Sequence, residues 1–379
     1  MAKPPKKQQK LRADFRKNRA ARSRQGDLTR QFHSEDYAED EHVHGERISG
    51  KGEVARRRTV FGEVIEDEDG AQVQPEVDAS ECLAGRVLRV GGLESHVRGA
   101  NGRDYRCATR RLLKTLATDQ RHVVATGDHV LFRPEGEDRG MILRVEPRKG
   151  VLSRGSRKRR HIIATNVHLL VIVTSAAEPR IKPNLIDRFL VTAEKAEITP
   201  IICINKVDLV ERADLMPLSG VFGQLGYQVL LMSATEGWGV SRLQQLVAGK
   251  ESVVAGQSGV GKSSILNAID PDLALRVSRV SEESEKGRHT TTAAEMIPLA
   301  GGGYIVDTPG IRQFQLWDVL PEETAGFFRD IRPYVSHCRF PDCTHTHEED
   351  CAVKDAAADG RIDMRRYESY CQILVGDEI

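Results

Sequence analysis

A glycine-rich run at residues 256–263 has the residue types and spacing of a phosphate-binding loop. It matches G-x-x-x-x-G-K-[ST] at every position and lies between a strand-like run and a helical run. Its glycines let backbone N–H groups turn toward phosphate oxygens. Lys262 should reach the β- and γ-phosphates, and the Ser263 hydroxyl should ligate Mg²⁺. The predicted phosphate-binding residues are Gly256, Gln257, Ser258, Gly259, Val260, Gly261, Lys262, Ser263 and Ser264.

An acidic turn, Asp307–Gly310, follows the strand-like run 304–306. Behind a phosphate loop, such a turn brings a carboxylate toward Mg²⁺ and a glycine N–H toward the γ-phosphate. We therefore predict that Asp307 is a magnesium ligand and that Gly310 acts in catalysis with Lys262. The segment Lys286–Thr292 is the one suited to supply a switch threonine, and the residues alone do not decide which of its three threonines serves.

Two further runs have the residue types needed to recognise guanine. Asn205-Lys206-Val207-Asp208 follows an apolar strand and resembles the guanine-specificity motif of GTPases. An aspartate can accept hydrogen bonds from both N1 and N2 of guanine, and adenine offers no such pair of donors. Ser233-Ala234 ends the next strand and resembles the second base-recognition element, in which a backbone N–H meets guanine O6. A site built on buried hydrogen bonds discriminates strongly, so we predict GTP rather than ATP as the ligand.

Three cysteines and a histidine near the C-terminus have metal-ligand spacing. Cys338, Cys343, His345 and Cys351 supply four soft or borderline ligands, which close a tetrahedral structural Zn²⁺ site. His337 and His347 compete for the imidazole position. Because the shell is already full, the sequence predicts one structural zinc ion and no catalytic zinc.

The elements that must position these motifs alternate between strands and helices from residue 167 onward. This alternation predicts an α/β P-loop GTPase domain with a mostly parallel sheet. The base-recognition motifs precede the phosphate loop, whereas in most GTPases they follow it. A short segment can join the usual last helix to the usual first strand, so the order predicts a circularly permuted domain whose site is unchanged.

Short strand-like runs separated by glycine turns precede this domain. Five or so strands in such a length favour a small OB-fold β-barrel. Interleaved basic residues suggest RNA contact, although a barrel that merely docks on its neighbour is the alternative. These basic residues are Arg86, Arg89, Arg98, Arg103, Arg106, Arg110, Arg111 and Lys114.

Composition restricts the remaining possibilities for the 379-residue chain. Residues 1–30 carry eleven Lys/Arg against two Asp, and residues 35–46 carry six Asp/Glu. Because this region has little apolar surface, we predict that it is a disordered tail. The tail either contacts a polyanion or serves as a solubilising extension. No apolar run is long enough for a membrane span. Seven cysteines, an odd number with three crowded beside histidines, favour a metal site in a reducing compartment, so we expect the cytoplasm. We also expect a monomer without membrane attachment.

A barrel, a permuted GTPase and a Cys-x4-Cys-x-His-x5-Cys segment together resemble the ribosome small-subunit-dependent GTPase A family. The matching residues are Asn205–Asp208, Gly256–Ser264, Gly287–Thr292, Asp307–Gly310 and Cys338–Cys351. The resemblance implies that Thr291 is the switch threonine that ligates Mg²⁺. It also implies a late assembly factor that binds the small ribosomal subunit and its rRNA, hydrolyses GTP to GDP and leaves.

These inferences predict four segments. They are a disordered charged tail (1–78), an OB-fold barrel (79–152), a permuted GTPase domain (153–318) and a C-terminal zinc-binding domain (319–379). An alternative function, a GTP-dependent RNA-binding scaffold with incidental hydrolysis, stays open.

Catalysis needs a group that positions the attacking water. Many GTPases carry a glutamine directly after the Asp-x-x-Gly glycine, but here that residue is Ile311. His289, beside the switch threonines, is the nearest side chain able to orient water or accept a proton, and we predict it as catalytic. A solvent-exposed histidine without a role is the alternative.

Overall fold

The computed structural model describes residues 9–13, 58–67, 70–75, 77, 79–92, 94–110, 113, 123–156, 159–275, 294–307 and 319–376. The chain divides into two compact units. One comprises residues 1–76 with 111–118, and the other comprises residues 77–110 with 119–379.

The first unit contains a three-stranded antiparallel sheet. Its strands, in spatial order, are β1 (Gln9–Ala13), β2 (Arg58–Asp67) and β3 (Gly70–Pro75). At these strands the fold differs from the disordered tail that composition predicts. Thr59, Val60, Val64 and Ile65 are β-branched, and residues of this type favour extended backbone even in a charged segment. The predicted tail boundary at residue 78 stays a prediction.

The second unit begins with a closed five-stranded barrel. Its strands are β4 (Leu83–Gly91), β5 (Glu94–Gly99), β6 (Asp104–Thr109), β7 (His129–Pro134) and β8 (Arg139–Val145). They pair in the order β4-β5-β6-β8-β7 and back to β4, with only β6 and β8 parallel. Val87, Val97, Phe132 and Ile142 fill its interior. The barrel confirms the OB-like architecture predicted from the sequence.

A two-stranded antiparallel ribbon follows the barrel. It consists of β9 (Leu152–Ser156) and β10 (Arg159–Ala164). The boundary predicted between residues 152 and 153 therefore falls inside a strand.

The sheet of the GTPase domain runs in the order β13-β12-β11-β14-β16-β15, and all neighbours but β15 and β16 are parallel. The strands are β11 (Leu169–Ser175), β12 (Thr199–Asn205), β13 (Gln228–Leu231), β14 (Glu251–Ala255), β15 (Glu295–Pro298) and β16 (Tyr304–Asp307). The helices are α1 (Pro183–Lys195), α2 (Met216–Gln224), α3 (Val240–Val247) and α4 (Lys262–Ile269).

Both faces of this sheet are covered, as a parallel sheet requires. Every residue of β11 is buried. Its side chains alternate between two apolar clusters, with Leu170 and Ile172 in one and Val171 and Val173 in the other. The α/β architecture predicted from strand–helix alternation is thereby confirmed.

The C-terminal segment is helical. It contains α5 (Arg332–Val335), α6 (Ala352–Ala358) and α7 (Met364–Val375). Phe328, Ile331, Val353 and Tyr370 form its small core. Within the described part of the chain, no helix combines the length and apolarity that crossing a bilayer needs.

Candidate functional site

The phosphate loop connects β14 to α4, so it lies at the carboxyl edge of the parallel sheet. Gly256 and Gly261 have φ angles of +146° and +95°, which residues with a side chain rarely adopt. A Cβ on Gly256 would lie 2.0 Å from the Val173 carbonyl oxygen, and only glycine fits there. Glycine at position 256 is therefore required by close packing against β11, in addition to its place in the phosphate-loop motif.

Lys262 folds back over the loop that precedes it. Its Nζ donates hydrogen bonds to the carbonyl oxygens of Gly256 and Gln257, at 2.8 and 2.6 Å. The ammonium is thus held inside the loop, where a phosphate group would sit. Ser263 and Ser264 lie in the first turn of α4, and both are half-buried.

Asn205 joins the three loops that carry the nucleotide motifs. Its Nδ2 donates to the Val260 carbonyl oxygen of the phosphate loop at 2.9 Å. Its Oδ1 accepts from the Ala234 N–H at 3.1 Å. The side chain is only 2% exposed, so both bonds form away from bulk water. One buried amide therefore sets the spacing between the predicted phosphate and guanine sites.

The residues after Asn205 place Asp208 at the surface. Lys206 adopts a left-handed backbone, with φ of 61°, and its Nζ donates to the Glu178 carbonyl oxygen. A short 3-10 helix, Val207–Leu209, follows and leaves Asp208 exposed. Among the described residues, none hydrogen-bonds to the Asp208 carboxylate, which is free to meet a ligand.

The second base-recognition loop closes on itself. The Ser233 N–H donates to the Trp238 carbonyl oxygen at 3.1 Å, and the Ser233 hydroxyl accepts from the Glu236 N–H at 3.2 Å. The Ala234 N–H, one of the predicted donors to guanine O6, is bonded to Asn205 here. A bound base would have to share or replace that bond.

The magnesium and switch residues are only partly described. Asp307 ends β16, which pairs with β14 in parallel, so its backbone reaches the same sheet edge as Gly256. His289, Thr291 and Gly310 lie outside the described residues. Their predicted roles stay predictions.

The four predicted zinc ligands come together. The ligand atoms of Cys338, Cys343, His345 and Cys351 all lie within 4.8 Å of one another. The Sγ atoms of Cys338 and Cys351 are 3.8 Å apart, and His345 Nδ1 lies 3.3 and 3.5 Å from them. Tetrahedral Zn–S and Zn–N bonds imply S···S of about 3.8 Å and S···N of about 3.5 Å. The donor set therefore fits zinc, and the exposed His337 and His347 are not part of it.

Hydrogen bonds hold the loop that carries two of these ligands. The Glu348 carboxylate accepts from the backbone N–H groups of Thr344 and Thr346, at 2.7 and 3.0 Å. Tyr367 and Tyr370 of α7 donate to the carbonyl oxygens of His345 and Thr344. Partial burial raises the pKa of Glu348, but the hydrogen bonds outweigh it and hold that pKa well below its usual range.

A row of basic side chains on the barrel was not apparent from the sequence, because it depends on strand register. Arg89 lies opposite His96, His96 opposite Arg106, and Arg106 opposite Arg139, which crosses four strands. Adjacent strands are separated by about 4.8 Å. Acidic neighbours reduce the charge of this row, since Arg106 pairs with Asp138 at 3.0 Å and Arg89 with Glu295 at 3.7 Å.

Comparison with known proteins identifies close relatives. Residues 145–317 match the family model described as RsgA GTPase. The protein named "Small ribosomal subunit biogenesis GTPase RsgA" of Yersinia enterocolitica is 38% identical over 79% of this chain and 88% of its own length. Its namesake in Chlorobaculum parvum is 37% identical over 78% of this chain and 98% of its own length.

Two solved structures share the fold of this chain. A crystal structure of YjeQ from Thermotoga maritima superposes with a TM-score of 0.64 at 32% identity, over 78% of this chain and all of that one. YloQ, described as a circularly permuted GTPase, gives a TM-score of 0.62 at 28% identity, over 79% of this chain and 96% of its own. The permuted order inferred from the motifs is thus confirmed.

Proposed function

Because the chain belongs to the RsgA GTPase family, we propose that it hydrolyses GTP to GDP and phosphate when bound to the small ribosomal subunit. It acts in late maturation of that subunit. The observation that carries the proposal is the position of Asn205, which connects the phosphate loop to both guanine-recognition loops. This connection supports the proposal, because it holds the predicted phosphate site and the predicted base site beside each other.

The proposed roles follow from residue chemistry. Lys262 and the backbone N–H groups of the phosphate loop bind the β- and γ-phosphates. The Asp208 carboxylate accepts from guanine, and the Asn205 amide holds the loops around the base. Ser263, Thr291 and Asp307 would hold Mg²⁺, which neutralises charge on the phosphates. The Gly310 N–H contacts the γ-phosphate, and His289 orients water.

One structural Zn²⁺ is proposed at Cys338, Cys343, His345 and Cys351. The fit of the interatomic distances to a tetrahedron supports it. Four protein ligands leave no open position on the ion, so its contribution is to fold the C-terminal domain.

The proposed partner is the small ribosomal subunit with its rRNA, bound by a monomer in the cytoplasm. The row Arg89, His96, Arg106 and Arg139 supports a contact with a phosphate backbone. Arg106→Ala with Arg139→Ala should weaken subunit binding and flatten its salt dependence. Arg133→Ala, at a surface arginine outside this row paired with Glu135, is the control.

Turnover measured with and without purified small subunits tests the function. The proposal expects slow basal GTP hydrolysis and strong stimulation by subunits. A GTP-dependent RNA-binding scaffold would bind both ligands without stimulation, and that result would overturn the proposed activity.

The guanine assignment has its own test. Asp208→Asn replaces one carboxylate oxygen, an acceptor, by an NH₂ group, a donor. Affinity should therefore shift from GTP toward xanthosine triphosphate, whose base offers an acceptor where guanine has a donor. Asp214→Asn changes a nearby exposed carboxylate and should leave the preference unchanged. An unchanged preference in Asp208→Asn would remove Asp208 from base recognition.

A further inference from the structure

Trp238 and Arg212 lie on the two chain segments that extend from the guanine-recognition motifs. Arg212 begins the 3-10 helix Arg212–Leu215, four residues after Asp208. Trp238 closes the loop that starts at Ser233, through the hydrogen bond from the Ser233 N–H. The Arg212 guanidinium carbon lies over the Trp238 ring, 4.1 Å from its centroid. This distance is well inside the roughly 6 Å range of a cation–π contact.

The backbone around Trp238 is shaped for this contact. Gly237 and Gly239, on either side, have φ angles of +75° and +73°. A Cβ on Gly239 would lie 2.9 Å from the Leu231 carbonyl oxygen. Residues with a side chain rarely adopt such a positive φ. The two glycines therefore permit the turn that brings the indole back toward Arg212.

The anchoring of the two segments is uneven. At their inner ends Val207 donates to the Met232 carbonyl oxygen at 3.1 Å, and Asn205 donates to the phosphate loop. Farther out, Asp208 has no protein partner among the described residues. Its position depends on the backbone between Val207 and Arg212. Among the residues that the structure describes, the Arg212–Trp238 contact links the two segments at that outer end.

We propose that Arg212 and Trp238 are positioning residues for guanine recognition. Their cation–π contact holds the Asp208 loop at a fixed spacing from the Ser233–Ala234 loop. The base then meets a preorganised site, and less affinity is lost to ordering of loops on binding. This inference rests on the proposed guanine site and adds to it two residues outside the recognised motifs.

Dissociation of fluorescent GDP and GTP from the full-length protein tests the contact. Arg212→Ala and Trp238→Ala should each weaken affinity about threefold to tenfold, mainly through faster dissociation. The KM for GTP should rise while kcat with saturating subunits stays unchanged, because no reacting atom is touched. Arg242→Ala, at an exposed arginine of α3, is the matched control.

Three further measurements distinguish positioning from a general structural role. The double variant should lose no more affinity than either single variant, since the two residues act through one contact. Trp238→Phe should restore part of the affinity, because phenylalanine still offers a ring face. In a Trp317→Phe background Trp238 is the only tryptophan, and Arg212→Ala should change its emission.

The outcomes separate this inference from the proposed function. If the wild-type protein binds no guanine nucleotide, the proposed function itself fails. If it binds GTP through Asp208, but Arg212→Ala and Trp238→Ala match Arg242→Ala, the positioning role is overturned. Additive losses in the double variant, or a fall in kcat with KM unchanged, would also overturn it.

Discussion

Arg366 of α7 donates a 2.5 Å hydrogen bond to Asp187 of α1, and both side chains are fully buried. The same guanidinium donates to both carboxylate oxygens of Asp330, at 2.7 and 2.8 Å. Asp187 belongs to the GTPase domain, whereas Arg366 and Asp330 follow it in the C-terminal domain. The two domains are therefore joined by a buried ionic network as well as by apolar packing.

Removing Arg366 should be strongly destabilising. Arg366→Ala leaves Asp187 and Asp330 without their cation, and breaking a buried pair costs roughly 3–5 kcal/mol of the free energy of unfolding. Urea unfolding at neutral pH measures this loss. Arg361→Ala removes an arginine whose pair with Asp359 is exposed, and it should change stability by no more than about 0.5 kcal/mol. Equal stability of the two variants would show that the network does not hold the domains.

Asp187 should impose a pH dependence on stability. Burial raises its pKa to about 6 from 3.8, although Arg366 opposes the rise. Between these values the folded protein keeps a proton that the unfolded chain has released, so this contribution to stability falls as pH rises. Asp187→Asn cannot titrate. We therefore expect the difference in free energy of unfolding, wild type minus Asp187→Asn, to decrease as pH rises from about 4 to about 6. A difference that rises with pH would contradict the raised pKa.

Gly261 should be intolerant of a side chain. A Cβ there would lie 2.3 Å from Asn205 Nδ2, at a φ of +95°. Gly261→Ala should displace the Asn205 amide from the Val260 carbonyl oxygen and weaken GTP affinity by about tenfold or more. Equilibrium binding of GTP gives the result. Gly220→Ala, in α2 with no atom within 4 Å of the new methyl group, is the control and should bind normally.

Loss of a metal ligand should disrupt the C-terminal domain and leave the nucleotide site intact. Purified protein should contain about one Zn²⁺ per chain, and Cys343→Ala should release it. GTP binding should survive, because the cores around β11 do not include this segment. Subunit binding should be lost. Metal analysis of Cys343→Ala beside Cys371→Ala, whose thiol lies outside the cluster, measures the effect. Full zinc retention in Cys343→Ala would contradict the ligand assignment.

His289 should matter only for stimulated turnover. His289→Ala should bind GTP normally and keep its basal rate. Its rate with small subunits should fall by roughly 10²-fold or more, the usual size of a general-base contribution. Such a result would fit a switch segment that is completed by docking. Undiminished stimulation would mean that the subunit supplies the group that orients water.

The sequence alone was sufficient to predict the permuted GTPase fold and the cluster formed by Cys338, Cys343, His345 and Cys351. Each prediction rests on short motifs whose residues lie close together in the chain. Gly256–Ser263 makes a phosphate loop because its glycines and Lys262 are adjacent. Strand–helix alternation likewise predicted the α/β domain, because a buried parallel strand needs a continuous apolar run such as Leu169–Ser175.

Only the tertiary structure decided which distant residues meet. Asn205 contacts Val260 across 55 positions of sequence, and Arg366 reaches Asp187 across 179. The basic row on the barrel depends on register, and a shift by one residue would turn its side chains inward. Composition also missed the strands between residues 58 and 75, because average polarity conceals a local run of β-branched residues. Contacts between distant residues depend on the packing of whole elements, and no local pattern specifies that packing.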